Sequence, residues 1–219
     1  MAQDDSQLHL RALGALIGGL AGEHAQLQVG GVQLDSRKVA PGDLFLALPG
    51  DSHDGRQFIE QAVAAGAVAV VAQAPAGGFV DAVPVPLLEH PELSLEVGDI
   101  AAAFHGHPTR DMEVLGITGT NGKTTVSRLI AQLSRARGDA CGVIGTLGMT
   151  LADDIVEAAN TTPDAVSLQA RLGQWHRDGV RRVAMEVSSH ALEQGRVNGT
   201  EFDVAVFTNL SHDHLDYHG

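Results

Sequence analysis

Residues 119 to 125 read Gly-Thr-Asn-Gly-Lys-Thr-Thr, between an apolar run, EVLGIT (113 to 118), and a stretch with helical periodicity, 123 to 137. A turn of this composition can hold a polyphosphate. Gly119 and Gly122 let the backbone come close to an anion. The helix N-terminus offers unpaired N–H groups, Thr120 and Asn121 belong to the same ATP-binding stretch, and Lys123 places a positive charge on the terminal phosphates. Thr124 can supply a hydroxyl to Mg2+, with Thr125 beside it. The spacing departs from the common loop G-x-x-x-x-G-K-[ST], because Ile117 stands where the first glycine would be. The strand–turn–helix context supports an ATP-phosphate role; the alternative is a glycine turn with an incidental surface lysine.

Glu186 ends an otherwise apolar run, RRVAMEV (181 to 187). Alone it could be a solvated strand end. Beside a phosphate loop it is a candidate Mg2+ ligand, because hard cations take oxygen donors and phosphoryl transfer needs the metal. Ser188 and Ser189 follow it and could contact a substrate. NLSHDHLDYHG (209 to 219) gathers His212, His214 and His218 among Asp213 and Asp216. Zinc ligation and a solvated acidic turn are the alternatives there to a hard-metal site. In NTTP (160 to 163), Thr162 reads as a helix N-cap with Pro163 at the first helical position. Such an N-terminus attracts anions, so Thr161 and Thr162 could hold a carboxylate or phosphate. Asp35, Ser36 and Arg37 form a charged turn in LDSRKVAPGDLFLALPG (34 to 50).

The elements that must position these residues emerge from pattern. EVLGIT, CGVIGT (141 to 146), RRVAMEV and FDVAVFTN (202 to 209) are strand candidates, separated by helical stretches at 123 to 137 and 164 to 178. That alternation predicts right-handed crossovers and a doubly wound parallel sheet, with ligands beyond the carboxyl ends of its strands. Before it, strand 42 to 50, helix 54 to 67, strand 68 to 73 and a helix over 91 to 108 make a small α/β domain. The pattern changes near Pro108 to Met112, giving expected domains 1–110 and 111–219. Leu10, Leu13, Leu16, Ile17 and Leu20 fall at helical spacing and predict an amphipathic N-terminal helix.

Composition bounds the partners. Of 219 residues, 14 are basic and 27 acidic, a formal net charge of −13, which repels nucleic-acid backbones and anionic membranes alike. A phosphate ligand must therefore be held locally. Cys141 is the single cysteine, so no internal disulfide forms and a reducing, cytoplasmic setting is expected. Ala12 to Gly22 is too short to span a bilayer, and no membrane insertion is expected. Assembly is left open, a monomer being the expectation.

Taken together, GTNGKTT, NTTP, MEVSSHAL (185 to 192) and NLSHDHLDYHG resemble the Mur ligases, and LDSRKVAPGDLFLALPG resembles that family's uridine-nucleotide domain. The resemblance is strongest to the branch that adds the third residue to the UDP-N-acetylmuramoyl dipeptide. It implies an ATP-dependent amide ligase with Mg2+: phosphorylation of the terminal carboxylate of UDP-N-acetylmuramoyl-L-alanyl-D-glutamate, then attack by an amino acid, meso-diaminopimelate or L-lysine. Carried over by motif, Glu186 and His214 ligate Mg2+ with Thr124 nearby. Asn160, Thr161, Thr162, Ser188, Gln194 and Arg196 bind the muramoyl peptide, and Leu34 and Ser36 the uridine end. Asp51, Ser52 and His53 occupy another uridine-contact stretch, in a sequence that departs from the family's. The family's carbamylated lysine and C-terminal domain lie past the DHLDYHG motif. The expectation is a truncated central domain that binds uridine nucleotide without ligase turnover. A folylpolyglutamate-synthetase-like ligase and a non-catalytic nucleotide-binding module are the competing readings.

Overall fold

The computed structural model describes residues 10–50, 53–79, 82–152, 154–157 and 160–211. The chain divides into two compact units, 1–104 and 105–219. The division falls ahead of the expected 110/111 boundary. The 3-10 turn Pro108–Asp111 packs on a helix of the second unit, so the linker residues belong to that unit.

The first unit begins with β1 (Arg11–Ala12) and α1 (Leu13–Leu16); β1 pairs antiparallel with β2 (Gln28–Val29). The expected amphipathic helix is thus a single turn. Gly18, Gly19 and Gly22 come after it, and Gly19 and Gly22 take positive φ, which breaks the helix while Leu13, Leu16 and Ile17 stay buried. β3 (Gly31–Gln33), β4 (Asp43–Ala47), β5 (Ala69–Gln73) and β6 (Leu87–His90) form an all-parallel sheet in that order. α2 (Ile59–Ala64) supplies Ile59 and Ala62 to a core with Phe45, Ala47, Val70 and Ala72. Leu44, Leu46, Ala69 and Val71, at the alternating positions, are buried as well, as strands covered on both faces require. The segment expected as a helix over 54–67 opens as a 3-10 turn, Gly55–Phe58, capped by Asp54 through the Arg56 N–H. α3 (Leu93–Phe104) closes the unit.

The second unit carries β7 (Glu113–Thr118), α4 (Lys123–Ala136), β8 (Cys141–Gly145), β9 (Gly148–Leu151), β10 (Asp154–Val156), α5 (Ala165–Arg177), β11 (Arg182–Glu186), α6 (Ser189–Glu193) and β12 (Val204–Phe207). The sheet order is β10-β9-β8-β11-β7-β12, with β8, β11, β7 and β12 parallel and the β9–β10 hairpin antiparallel at one edge. The two strand faces sort by residue parity. Val183 and Met185 pack with Val114, Ile144, Leu168, Leu172 and Trp175 of the α5 layer. Ala184 packs with Ile117, Cys141 and the α4 residues Val126 and Ile130. Helices on both faces make the sheet doubly wound. The same parity puts Glu186 on the α4 face, at the carboxyl end of β11.

Candidate active site

β7 delivers the glycine turn to the N-terminus of α4. Gly119 and Gly122 hold φ of 119° and 90°, conformations that glycine adopts without strain. A Cβ on Gly119 would lie 2.3 Å from Thr208 Oγ1, so the close approach also requires glycine. The stretch after β12 braces the turn. Thr208 Oγ1 and Asn209 Nδ2 donate to the Asn121 carbonyl at 2.7 and 2.9 Å, and the Asn121 N–H donates to Asn209 Oδ1 at 3.1 Å. The Thr120 N–H donates to the Asn209 carbonyl at 3.0 Å, and the Ser211 N–H to Thr120 Oγ1 at 3.0 Å. The Thr120 and Asn121 amides are therefore engaged by Asn209. The amides of the first turn of α4 remain: its N-cap is Gly122, with no side-chain cap. Lys123 Nζ donates to the carbonyls of Gly119 and Thr120 at 2.7 and 3.1 Å, which suspends the ammonium over the loop. Thr125 is exposed on the same turn.

Glu186 is 1% exposed and, among the described residues, has no cationic partner. Thr124 Oγ1 donates to its Oε2 at 2.9 Å. Thr146, directly after β8, donates its N–H to Oε1 at 3.1 Å and its hydroxyl to Oε2 at 3.2 Å. Parallel pairing of Met185 with Ile144 sets Gly145 beside Glu186, and a Cβ there would lie 1.9 Å from Oε1. A buried carboxylate surrounded by hydroxyls offers only hard oxygen donors. That set fits Mg2+, which takes one or two carboxylates and completes its shell with phosphate oxygens and water. His214 and the rest of 212–219, including the alternative zinc cluster, lie outside the described residues.

The NTTP loop joins the same strand end. The buried Thr162 hydroxyl donates to the Glu186 carbonyl at 2.9 Å and accepts from the Ser188 N–H at 3.1 Å. Thr162 is therefore not the N-cap of α5, as its place before proline suggested. Asp164 caps that helix through the Ser167 N–H at 2.9 Å, and Thr162 instead ties the loop to β11. Thr161 Oγ1 is 3.1 Å from Thr146 Oγ1. Arg196 donates to the Thr162 carbonyl at 3.1 Å and to Gln194 Oε1 at 2.8 Å, and Ser188 caps α6 through the Ala191 N–H. Thr161, Thr162, Ser188, Gln194 and Arg196 thus converge; Asn160 is exposed at the head of the loop. Sequence reasoning missed Gly145 and Thr146, whose roles come from strand register, and Thr208.

The first unit holds a cleft of about 550 Å3 lined by Leu34, Asp35, Ser36, Arg37, His53 and Phe58 among others. Ser36 is largely buried there and donates to Gln61 Oε1 at 3.0 Å. The Asp35 carboxylate accepts from the Arg37 N–H, Nε and Nη2 at 3.0, 2.9 and 2.8 Å. The side-chain bonds from Arg37 are the main cause that holds its pKa down at about 2. Asp51 and Ser52 lie outside the described residues.

Residues 28–105 match the model described as "Mur ligase family, catalytic domain", and residues 117–219 the "Mur ligase middle domain". The UDP-N-acetylmuramoyl-L-alanyl-D-glutamate--2,6-diaminopimelate ligase of Pseudomonas putida is 50% identical over 186 residues, 85% of this chain and 38% of that protein. The ligase of the same name from Coxiella burnetii is 46% identical over 89% of this chain and 40% of its own length. The chain thus spans about two fifths of the relatives it matches. A solved structure of a ligase with that name superposes with TM-score 0.82 at 34% identity, covering 96% of this chain and 42% of that one. The MurF ligase of Thermotoga maritima in complex with ADP shares the fold, at TM-score 0.60 and 20% identity over 85% of this chain and 39% of its own. Two adjoining family models, relatives at half identity and a braced glycine loop facing a buried carboxylate agree: the chain belongs to the Mur ligase family.

Proposed function

We propose that this chain is the nucleotide- and sugar-peptide-binding part of a ligase that joins an amino acid to UDP-N-acetylmuramoyl-L-alanyl-D-glutamate at the expense of ATP. The observation that carries the reading is the meeting of Thr124, Glu186, Thr146 and Thr161 at one end of the sheet, beside the Lys123 loop. In the reaction, a carboxylate oxygen of the peptide attacks the γ-phosphorus of ATP. The bond to the bridging oxygen breaks, and ADP leaves an acyl phosphate. The amine of the incoming amino acid then attacks the acyl carbon, phosphate departs, and the nitrogen loses a proton. Lys123 and the first-turn amides of α4 hold the β- and γ-phosphates and offset charge as it shifts to the bridging oxygen. Glu186 and Thr124 would hold Mg2+, which supplies further charge neutralisation at the transferring group. Thr161, Ser188 and Arg196 keep the peptide carboxylate in line. The cleft around Leu34, Ser36 and His53 takes the uridine end.

2,6-Diaminopimelate is the amino acid that the relatives' names favour. The cytoplasm suits a chain with one cysteine and, among its described residues, no helix long and apolar enough to cross a membrane. The cleft in the first unit and the relatives' names both favour the muramoyl substrate over a folate. Calorimetric titration with UDP-N-acetylmuramoyl-L-alanyl-D-glutamate and, separately, with a folate separates these readings. Saturable binding of the sugar nucleotide alone is expected; folate binding without it would contradict the assignment.

A further inference from the structure

Hydroxyl groups connect the phosphate loop to the NTTP loop through a single carboxylate. Thr124 and Thr146 both donate to Glu186 Oε2, at 2.9 and 3.2 Å, and Thr146 Oγ1 lies 3.1 Å from Thr161 Oγ1. A hydroxyl carries one proton. While Thr146 gives its proton to Glu186, the Thr146–Thr161 bond must use the proton of Thr161. Thr161 then has none for a ligand and offers an incoming anion only lone pairs.

We propose that Thr146 is a positioning residue: it makes the ability of Thr161 to donate to the anionic end of the muramoyl peptide depend on whether Glu186 carries a cation. The inference rests on the function proposed above. Once Glu186 Oε2 ligates a divalent cation, its charge is drawn toward the metal and it becomes a weaker acceptor than Thr161 Oγ1 for the Thr146 hydroxyl. The Thr146 hydroxyl rotates to its other neighbour and donates to Thr161 Oγ1, held in place by its own N–H bond to Oε1. The bond between the two threonines reverses direction, and the Thr161 proton turns outward to a carboxylate. No backbone movement is needed. Metal–nucleotide and sugar peptide thereby favour each other's binding, reciprocally, through one rotating hydroxyl.

The test is the affinity of the 219-residue chain for UDP-N-acetylmuramoyl-L-alanyl-D-glutamate, measured by calorimetry with and without saturating Mg2+ and the β,γ-imido analogue of ATP. The wild-type chain is expected to bind the sugar peptide about fivefold or more tightly when the metal–nucleotide is present. Thr146→Val should bring that ratio close to one, and Thr146→Ser, which restores the hydroxyl, should recover it. Thr161→Val breaks the chain at its far end and should abolish the ratio too, so the test survives if the Thr146→Val protein folds poorly. A merely structural role for Thr146 would change the affinities and leave their ratio intact. A wild-type ratio near one, or an unchanged ratio in Thr146→Val, overturns the inference while the proposed function stands. Absence of binding by both ligands to the wild-type chain would remove the function itself.

Discussion

Gly145 is where one missing methyl group decides whether the carboxylate can be where it is. A Cβ would stand 1.9 Å from Glu186 Oε1 and 2.6 Å from its Cδ, so Gly145→Ala must swing the side chain away from Thr124 and Thr146. We expect the variant to keep its fold at a cost of about 1–3 kcal/mol. It should lose metal–nucleotide affinity by about tenfold or more, read by calorimetry; wild-type affinity would mean that Glu186 is not the ligand. A second expectation concerns Asp35, whose carboxyl is held at about 2, against an ordinary 3.8, by its bonds from Arg37. A depressed folded pKa gives stability that is present above the ordinary value and lost as pH falls through about 2. Carbon-detected titration should find the Asp35 midpoint near 2, returning toward 3.8 in Arg37→Ala; no change in the variant would refute the pairing. Lys123, Thr124 and Glu186, which the structure brings to one end of the sheet, stand out in sequence because charged and hydroxyl side chains are conspicuous at the ends of apolar runs. Gly145 and Thr146 do not, because their significance arises from the register of β8 on β11, a pairing between residues some forty positions apart.

The elements were read best where they are most buried. The parallel strands β7, β8 and β11 fall inside the apolar runs, since a strand covered on both faces has a nearly continuous hydrophobic signature; β12 falls inside one too, although Val204, Ala205 and Phe207 are exposed. The β9–β10 hairpin escaped because GMTL and DIV are short, and β10 is mostly exposed, leaving no alternation to read. The N-terminal helix is shorter than the leucine periodicity predicts, because Gly18, Gly19 and Gly22 end it after one turn. At α5 the proline pointed to the wrong cap, since Thr162 is consumed by the β11 end and Asp164 takes the capping role. Leu172 of α5 is fully buried against the sheet. Leu172→Ala should cost about 2–5 kcal/mol in urea unfolding. A loss below about 1 kcal/mol would show that α5 does not form that layer.

For the whole molecule, composition bears on partners through charge. A net charge of −13 leaves a polyphosphate no favourable long-range field, so its binding must be local. In the proposed function, the first-turn amides of α4, the Lys123 ammonium and the Glu186 carboxylate provide that local site. The division into two units, one with a cleft and one with the phosphate loop, was legible as two runs of α/β alternation. The boundary residue was not, because the turn Pro108–Asp111 joins the second unit by tertiary packing. In the proposed function, Lys123 and Glu186 together hold a magnesium nucleotide. Calorimetric titration of the 219-residue chain with the β,γ-imido analogue of ATP, with and without Mg2+, tests it on wild type, Lys123→Ala and Glu186→Gln. Mg2+-dependent binding to wild type is expected, weakened at least about tenfold by Lys123→Ala and stripped of its Mg2+ dependence by Glu186→Gln. Equal, Mg2+-dependent affinity in all three proteins would contradict it.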